Sequence, residues 1–374
     1  MALWAIEALK DYAELSLVTG GPVDLARWNQ FYGTDIRAGE IEIIRASLPW
    51  TLFRTQKFAA LRGALFQKYC RRIAGRFDLI IHTYGLCDFP VPTIQCVADF
   101  GFVREWRNVL HPELAGYRQW WYADSPLRRA YWRACDATFL PDPEAIRRNL
   151  TLANSHWTAK LLKEKIGMCS QVVYPPVRGE SAAMPWEKKE NGFVCIGRVV
   201  PEKRMDAVIG ILSRVRRRGH DVHLHILGKV DHSPFGRKIK RLAAKNRDWV
   251  FLEGCVWGEK KARLLASHRF GVNGTKHEAF GIALAEMARA GCVVFVPNSG
   301  GQTEIVDHPA LAFENDDDAV AKLDAVLSNT EMQRRLALHV SRQASRFATE
   351  NFVAAIRGLA EEMLAEKSTC AKLG

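Results

Sequence analysis

The sequence has no Cys-x-x-Cys pair, no long apolar run and no G-x-G-x-x-G turn between a strand pattern and a helix pattern. Its nine cysteines are odd in number and scattered, which predicts a reducing compartment and argues against a disulfide framework or a zinc site. A membrane span needs about 20 apolar residues, and Glu7, Lys10 and Asp11 interrupt what would be the apolar region of a signal peptide. We therefore expect a cytoplasmic protein that is not a dehydrogenase.

Charge of one sign is in excess. The chain has 53 Lys and Arg residues against 41 Asp and Glu residues, a formal net charge of +12. Such a chain attracts nucleic acid, an acidic membrane surface or phosphorylated ligands. The sequence lacks a Cys/His finger, an RNP-like aromatic signature and a basic stripe interleaved with aromatic residues. We therefore expect no nucleic-acid partner, while phosphate-bearing ligands and a membrane surface remain.

At 374 residues the chain is too long for one ordinary core, and its length predicts two domains of similar size. Short apolar, β-branched runs alternate with amphipathic stretches of helical length, which is typical of α/β lobes with parallel sheets. In the first half the predicted strands are Leu15–Thr19, Asp78–Thr83, Thr93–Ala98, Ala137–Leu140, Thr151–Asn154 and Gln171–Tyr174. In the second half they are Gly192–Ile196, Val222–Leu227, Val250–Leu252, Phe270–Val272 and Cys292–Val296.

The lobe boundary is predicted near residue 180, because Pro175 and Pro176 stop a strand and a polar, charged segment follows. This gives a first lobe over residues 1–180, a second over 181–345 and a tail over 346–374. The tail carries a helix pattern at Phe352–Glu366, which either closes one lobe or crosses to the other. The first lobe starts on a helix pattern at Leu3–Leu9, so its opening strand and Gly-rich loop are expected to be lacking, through a misassigned start codon or a degenerate lobe.

The segment from Asn273 to Gly291 carries the strongest pattern. A strand pattern ends near Asn273, and an apolar helix pattern runs from Gly281 to a natural glycine stop. Gly281 lets a ligand approach the backbone, and the helix start offers N–H groups to an anion. Glu278 and Glu286 are predicted to flank one ligand-sized space and to bind sugar or ribose hydroxyls. The alternative, a helix-start acid and a solvated residue, is weakened because Glu286 lies inside an apolar run.

A second turn follows the first strand of the second lobe. Gly197 marks the turn, and Arg198 and Lys203 are predicted to point from the carboxyl edge of the sheet. Two cations at that edge suit a diphosphate. A solvated turn is the alternative, but the shared edge with the Glu278 segment favours a ligand.

A third turn follows the strand after the Glu278 helix. Its paired glycines, Gly300 and Gly301, precede Glu304 and predict a loop that wraps a ligand at the same sheet edge. Taken alone, a Gly-Gly pair is equally an ordinary flexible turn.

In this order and spacing the three segments resemble glycosyltransferase family 4, retaining enzymes of the GT-B fold. Glu278 and Glu286 match that family's E-x7-E motif, the Gly197 turn its phosphate-binding Arg and Lys, and the Gly300 loop its G-G-x-x-E sequence. Ala153-Asn154-Ser155 and Tyr174-Pro175-Pro176-Val177 are also similar to the family. Within it, these segments resemble the α-1,2-mannosyltransferases of the dolichol pathway and their bacterial relatives. The resemblance is strong over residues 150–350 and weak before them.

The resemblance implies an α/β fold of two Rossmann-like lobes facing a cleft, with a nucleotide-sugar donor on the second lobe and a glycan or lipid-linked acceptor on the first. It implies that Arg198 and Lys203 neutralise the leaving diphosphate, that Glu286 holds the ribose and that Glu278 lies near the transferred sugar as a catalytic residue. It implies donor contacts from backbone groups at Phe280, Gly281 and Ile282. No metal and no cofactor besides the nucleotide-sugar are expected.

The implied reaction is transfer of a hexose, with mannose from GDP-mannose favoured, to a lipid-linked or polysaccharide acceptor with retention of configuration. Two alternatives stay open. A nucleotide-sugar epimerase of the same fold would release product without an acceptor. A degenerate, non-catalytic protein would only bind the nucleotide-sugar or a partner, and the lacking first strand raises that alternative.

The sequence departs from the family pattern at the reaction centre of the first lobe. Family members often carry a histidine at the end of a first-lobe strand, where this chain offers Asp99. His82, at the end of the preceding strand pattern, is the other catalytic candidate. Each has the alternative of a satisfied structural polar group.

Two further charged segments, one acidic and one basic, each have two interpretations. Asp316-Asp317-Asp318 is similar to the metal-binding D-x-D of another transferase fold, but its place before a late helix pattern favours a solvated cap. The stretch Leu52–Arg76 predicts a basic amphipathic helix that makes peripheral contact with an anionic membrane or, alternatively, covers a lobe with a solvated face. Its apolar and cationic residues are Phe53, Phe58, Leu61, Leu65 and Tyr69 with Arg54, Lys57, Arg62, Lys68, Arg71, Arg72 and Arg76.

Overall fold

The computed structural model describes residues 1–47, 58–100, 125–179 and 184–373, with side chains up to residue 367. The strands are β1 Leu15–Thr19, β2 Ile41–Arg45, β3 Ile80–His82, β4 Thr93–Val97, β5 Leu150–Ala153, β6 Gln171–Val172, β7 Glu190–Ile196, β8 His223–Leu227, β9 Val250–Gly254, β10 His268–Val272, β11 Val293–Pro297 and β12 Ala312–Phe313. The helices are α1 Ala2–Leu9, α2 Leu25–Tyr32, α3 Ala59–Ile73, α4 Pro126–Thr138, α5 Pro143–Arg148, α6 His156–Leu161, α7 Met205–Arg217, α8 Pro234–Lys245, α9 Gly258–Ser267, α10 Ile282–Arg289, α11 Thr303–Val306, α12 Asp316–Leu327, α13 Thr330–Ala344 and α14 Thr349–Leu373.

The first lobe is built on parallel strands in two sheets. Strands β3, β4, β5 and β6 pair in that order, and β1 pairs with β2 in a separate two-stranded sheet. The predicted helix at the start of the chain is present as α1, whose apolar residues pack into the lobe. Sequence reasoning missed β2, in which only Ile41 and Ile44 are buried.

One predicted strand of the first lobe is wrong. Ala137–Leu140 was expected to be a strand, but residues 137 and 138 are the last turn of α4 and residues 139 and 140 follow it as irregular chain. The helix is fixed from its other end, where the Ser125 side chain accepts a hydrogen bond from Arg128 N and Pro126 occupies the first turn. The β-branched and aromatic residues at its end were misread as a strand because they also suit the last turn of a helix.

The second lobe is one six-stranded parallel sheet. Its strand order is β12, β11, β10, β7, β8, β9, and the five strands predicted for this half are confirmed. The chain runs from β7 to β8 on one side and later places β10 on the other side of β7. Ligands of such sheets bind outside the carboxyl ends of the strands where the order reverses, which here is the crevice between β7 and β10.

The chain end lies against the first lobe. In α14, Phe352, Ile356 and Leu359 are buried in one cluster with Ala8 of α1 and Ile94 of β4. Arg357 donates from Nε to the Ala8 carbonyl oxygen at 3.2 Å. The predicted boundaries near residues 180 and 345 stay predictions, but these contacts put the last helix on the lobe where the chain begins.

Helix α3 falls inside the predicted basic stretch, of which residues 52–57 lie outside the described residues. Its cations include Lys68, Arg71 and Arg72, all exposed, and Arg71 pairs with the buried Asp88 at 3.0 Å. Within the part of the chain that the structure describes, no helix is long and apolar enough to cross a membrane.

Candidate active site

The turn after β7 opens one side of the crevice. Gly197 ends the strand with its N–H bonded to the Leu227 carbonyl oxygen at 3.0 Å, and Arg198 is exposed beyond it. The neighbouring turn after β8 crosses it closely, because a Cβ at Gly228 would lie 1.9 Å from the Gly197 carbonyl oxygen. Gly228 was not singled out in the sequence, although a glycine directly after a predicted strand is the signal for such an approach.

The loop after β10 opens the other side, and an ion pair joins the two. Lys203 Nζ lies 2.5 Å from Glu278 Oε2, with each side chain 22% exposed. The sequence predicted both residues at the same sheet edge, and the structure brings them into contact. Each is next to a non-glycine residue with positive φ, Arg204 at 45° and His277 at 55°. Backbone strain of this kind clusters at functional sites.

Two helices start at this crevice without a side-chain cap. Helix α10 begins after Gly281, which has a φ of 100°, and α7 begins after Arg204. Seven other described helices are capped by a side chain, as α8 is by Ser233 and α12 by Asn315, whereas α1, α3, α9 and α11 are uncapped too. The first N–H groups of an α-helix have no partner within the helix, so these two starts leave donors and positive dipole ends facing the turn that carries Lys203.

Glu286 lies in α10, as predicted, and has a partner that sequence reasoning missed. Lys261 Nζ of α9 lies 2.6 Å from Glu286 Oε1, and both side chains are about one-fifth exposed. Lys261 stands next to Lys260 in an ordinary amphipathic helix, and nothing in its spacing marks it. Each carboxylate of the E-x7-E pair is therefore held by one lysine.

Close contacts within the protein explain why residues 300 and 301 are glycines. A Cβ at Gly300, whose φ is 82°, would lie 2.3 Å from the Glu278 carbonyl oxygen, and one at Gly301 would lie 2.1 Å from that of Ala279. Gly301 N donates to the Glu278 carbonyl oxygen at 2.8 Å. The loop was predicted to wrap a ligand. In the structure the Gly300 loop packs against the backbone that carries Glu278. The loop therefore contributes to a ligand site by positioning that backbone.

The Glu304 side chain also has partners within the protein, and its assignment to the donor stays a prediction. Its carboxylate accepts hydrogen bonds from His156 N at 3.1 Å, Trp157 N at 2.9 Å and the Tyr174 hydroxyl at 3.0 Å. The first two donors are the start of first-lobe helix α6, where a carboxylate is favourable. Glu304 therefore joins the lobes, and its contacts give no support to donor binding. Burial and the nearby Glu304 charge raise the pKa of the Tyr174 phenol well above its usual range.

Replacing Glu304 with alanine is expected to lower the free energy of unfolding by about 1–3 kcal/mol, because it leaves two backbone N–H groups and one hydroxyl without their acceptor. Urea denaturation measures this loss. Glu361→Ala, at an exposed position of α14, is the matched control and should change stability by less than about 0.5 kcal/mol. Equal stability of the two variants would contradict the joint assigned to Glu304.

Aromatic packing continues this joint. The Phe280 ring is buried against Tyr174 at 5.7 Å and Phe347 at 5.1 Å between centroids, so only its backbone remains a candidate donor contact. Ile282, the first residue of α10, is 48% exposed. Ser155 Oγ donates to the Ala279 carbonyl oxygen at 2.6 Å. The family-like segments at residues 153–155, 174–177, 278–281 and 298–301 thus meet at one seam.

The two first-lobe candidates have different surroundings. His82 is satisfied on both ring nitrogens, because Nδ1 donates to the Gly85 carbonyl oxygen and Nε2 accepts from Gln67 Nε2, each at 3.0 Å. Burial lowers the pKa of His82, so the ring is neutral near pH 7. These contacts favour a structural role for His82, and its catalytic assignment stays a prediction. Asp99 is exposed two residues beyond β4 and remains the first-lobe candidate.

A first-lobe side chain that the sequence did not mark reaches the crevice. Trp157 stacks on His277 with centroids 6.4 Å apart and an interplanar angle of 16°. His277 directly precedes Glu278, so the first lobe contacts the strained part of the loop.

The Asp316-Asp317-Asp318 run is the first turn of α12, as the cap interpretation predicted. Its carboxylates pair with cations, Asp316 with Arg204 at 3.1 Å and Asp317 with Arg214 at 2.7 Å. The run stabilises a helix start and holds the residue that follows Lys203.

Two α/β lobes, with a crevice at the switch point of the second sheet and a last helix on the first lobe, form the architecture of the GT-B fold. Sucrose-phosphate synthase of Thermosynechococcus elongatus has this architecture. It superposes with a TM-score of 0.69 at 14% identity, over 97% of this chain and 92% of that one. Residues 179–339, which include most of the second lobe, match the family model of the glycosyl transferases group 1.

Several curated relatives carry mannosyltransferase names. The GDP-Man:Man(3)GlcNAc(2)-PP-Dol alpha-1,2-mannosyltransferase of Eremothecium gossypii is 27% identical over 170 residues, 41% of this chain and 29% of that protein. A GDP-mannose-dependent alpha-(1-6)-phosphatidylinositol monomannoside mannosyltransferase of Mycobacterium tuberculosis strain H37Rv is 30% identical over 121 residues, 31% of each chain. The matches therefore span about a third of the length of these two relatives.

Proposed function

We propose that this chain transfers mannose from GDP-mannose to a lipid-linked or polysaccharide acceptor with retention of anomeric configuration. The observation that carries the proposal is the Lys203 to Glu278 ion pair, which spans the switch point of the second sheet between two uncapped helix starts. A cation and two helix N-termini suit a diphosphate, and the adjacent carboxylate suits sugar hydroxyls.

We assign donor binding to four side chains and to the start of helix α10. Lys203 and Arg198 take the diphosphate, with the N–H groups after Gly281 as further donors. Diphosphate binding draws Lys203 away from Glu278, so that carboxylate becomes available to the sugar only when donor is bound. Glu286, fixed by Lys261 at 2.6 Å, is assigned to the ribose. Both curated relatives named above carry GDP-mannose in their names, which supports this donor.

The proposed reaction needs no cofactor and no metal. Charge developing on the leaving diphosphate is stabilised by groups held in place before the reaction, which is the most effective form of such catalysis. Lys203 lies at the crevice before the donor binds, and the helix starts are parts of the scaffold. The acidic run at Asp316 is engaged with Arg204 and Arg214, which favours its structural role over metal binding.

The acceptor is assigned to the first lobe, facing Asp99 and Trp157. The two relatives are named for a dolichol-linked oligosaccharide and a phosphatidylinositol mannoside, and both names support a lipid-linked acceptor. We also propose that the protein is cytoplasmic. Its basic helix α3 would then make peripheral contact with the inner face of the membrane. Flotation on vesicles with anionic lipid, compared with neutral vesicles, tests it. If the protein floats with neither kind of vesicle, only the proposed membrane contact is contradicted.

A transfer assay tests the function. The full chain is incubated with GDP-mannose, and separately with UDP-glucose, in excess EDTA, with a membrane lipid extract as acceptor. We expect labelled mannose in the lipid fraction, released by α-mannosidase. Epimerised nucleotide-sugar formed without acceptor would favour the epimerase alternative. Tight donor binding without turnover on any acceptor fraction would favour the non-catalytic one. Transfer only from UDP-glucose would overturn the donor assignment.

A further inference from the structure

Three histidines lie close together near the amino-terminal ends of the second-lobe strands, at the end of the sheet opposite the crevice. His223 and His225 stand two apart in β8 and therefore point to the same face, and His268 is the first residue of β10. Strand β7 runs between them, with Glu190 registered to His268 and Gly192 to His223. Glu190, His223 and His268 are at the starts of their strands, whereas Lys203 and Glu278 lie beyond the strand ends.

The ring nitrogens converge closely. One nitrogen from each of the three rings lies within 4.8 Å of the other two, and the Nε2 atoms of His223 and His268 are 3.1 Å apart. Two nitrogen ligands at the usual zinc distance in a tetrahedral site are separated by roughly 3.3 Å. Glu190 Oε2 lies 3.4 Å from Nε2 of His223 and 4.0 Å from that of His268, so a carboxylate borders two of the three rings.

The outer hydrogen bonds set the tautomers that a metal requires. His268 Nδ1 lies 2.7 Å from the Leu264 carbonyl oxygen, which only accepts, so Nδ1 carries the proton. His225 Nδ1 lies 2.9 Å from Glu253 Oε1 and donates to that carboxylate. His268 thus turns an unprotonated Nε2 towards His223, and the proton on Nδ1 of His225 leaves Nε2 of that ring unprotonated. Carbonyl and carboxylate partners on the outer nitrogen are typical of metal-ligating histidines.

A glycine in the central strand makes the convergence possible. A Cβ at position 192 would lie 2.2 Å from His223 Nε2 and 2.5 Å from its Cε1, so any side chain there would push the ring away from His268. A single N–H···N bond between His223 and His268 accounts for one pair of rings. It does not account for the third ring, the carboxylate and the outer bonds, which are all in place together.

We propose that His223, His225, His268 and Glu190 bind one divalent transition-metal ion, with zinc the best match. Three imidazoles and one carboxylate are ligands that zinc accepts in tetrahedral geometry. The ion links the first residues of β7, β8 and β10 and enters on the side of Glu190, whose side chain is 53% exposed, because His268 is buried. The site stabilises the second lobe and takes no part in transfer, so it stands whether or not the proposed function does. Cysteine patterns argued against a zinc site, and histidine spacing at 223, 225 and 268 gave no motif.

Metal titration tests the proposal on the full chain after EDTA treatment and dialysis. Wild type should bind one Co²⁺ per chain with the intense visible bands of tetrahedral coordination, and Zn²⁺ should displace it and raise the melting temperature. His223→Gln should weaken Zn²⁺ binding by at least about tenfold, and Glu190→Gln, at an exposed position, should weaken it without affecting the fold of the metal-free protein. His232→Gln, at an exposed loop histidine, is the matched control.

Gly192→Ala removes no ligand and should also weaken binding, because it displaces the His223 ring. Co²⁺ bands absent from wild type, or equal affinity in wild type, His223→Gln and Glu190→Gln, would overturn the site and leave the cluster as a hydrogen-bonded histidine stack.

Discussion

Replacing Lys203 with alanine is expected to lower the transfer rate at saturating donor by a factor of about 10²–10³, the usual cost of deleting one preorganised donor to developing charge. The variant loses the cation nearest the leaving diphosphate and leaves Glu278 without its 2.5 Å partner, so the carboxylate repels the phosphate that Lys203 attracted. Steady-state rates with GDP-mannose measure the effect.

The control for this change is Lys245→Ala, which removes a lysine at the exposed end of α8. It should leave the rate within a factor of about two, since an exposed charge far from the crevice is screened by salt. Lys203→Arg should recover part of the loss, because the charge is kept while the geometry is not. A normal rate in Lys203→Ala would place the diphosphate elsewhere.

Replacing Gly300 with alanine is expected to lower the free energy of unfolding by about 2–5 kcal/mol, from a left-handed backbone that disfavours a side chain and from overlap with a packed neighbour. The neighbour is the Glu278 backbone, 2.3 Å from the new Cβ. Because that backbone must move, the transfer rate should fall as well, and thermal unfolding with parallel rate measurements reports both.

Gly210→Ala makes the same chemical change in helix α7, where a Cβ would meet nothing within 4 Å outside its own helix backbone. Alanine is the better helix former there, so the control should gain about 0.5–1 kcal/mol. Opposite signs for the two glycines would support the internal role of the Gly300 loop. Similar small effects at both positions would mean that the loop is loose and that Glu278 does not depend on it.

The second lobe was predictable because its signals are local. Each strand is a short apolar run, and the residues at the strand ends lie at one edge in a parallel sheet. The shared edge of Lys203 and Glu278 was therefore predictable, whereas their ion pair was not predicted. The first lobe was less predictable, since β2 buries only two of its five residues and the end of α4 has the composition of a strand.

The contacts between side chains of separate elements were the main feature that the sequence did not predict. Nothing in the sequence says that Lys261 reaches Glu286 or that Glu304 caps a helix 148 residues earlier, because those contacts depend on how separate helices and lobes pack. The glycines show the same limit. Their presence in the Gly300 loop was noticed, but whether a ligand or the chain's own backbone comes close is decided by tertiary structure.

We expect the crevice between β7 and β10 to bind the second phosphate of a nucleotide. Calorimetric titration of GDP and of GMP into the full chain, in EDTA, measures this contact. GDP should bind about 10–100 times more tightly than GMP, which is the effect of one charge-assisted contact, and Lys203→Ala should remove most of this ratio. Equal affinities for GDP and GMP in the wild-type protein, or a ratio unchanged in Lys203→Ala, would contradict it.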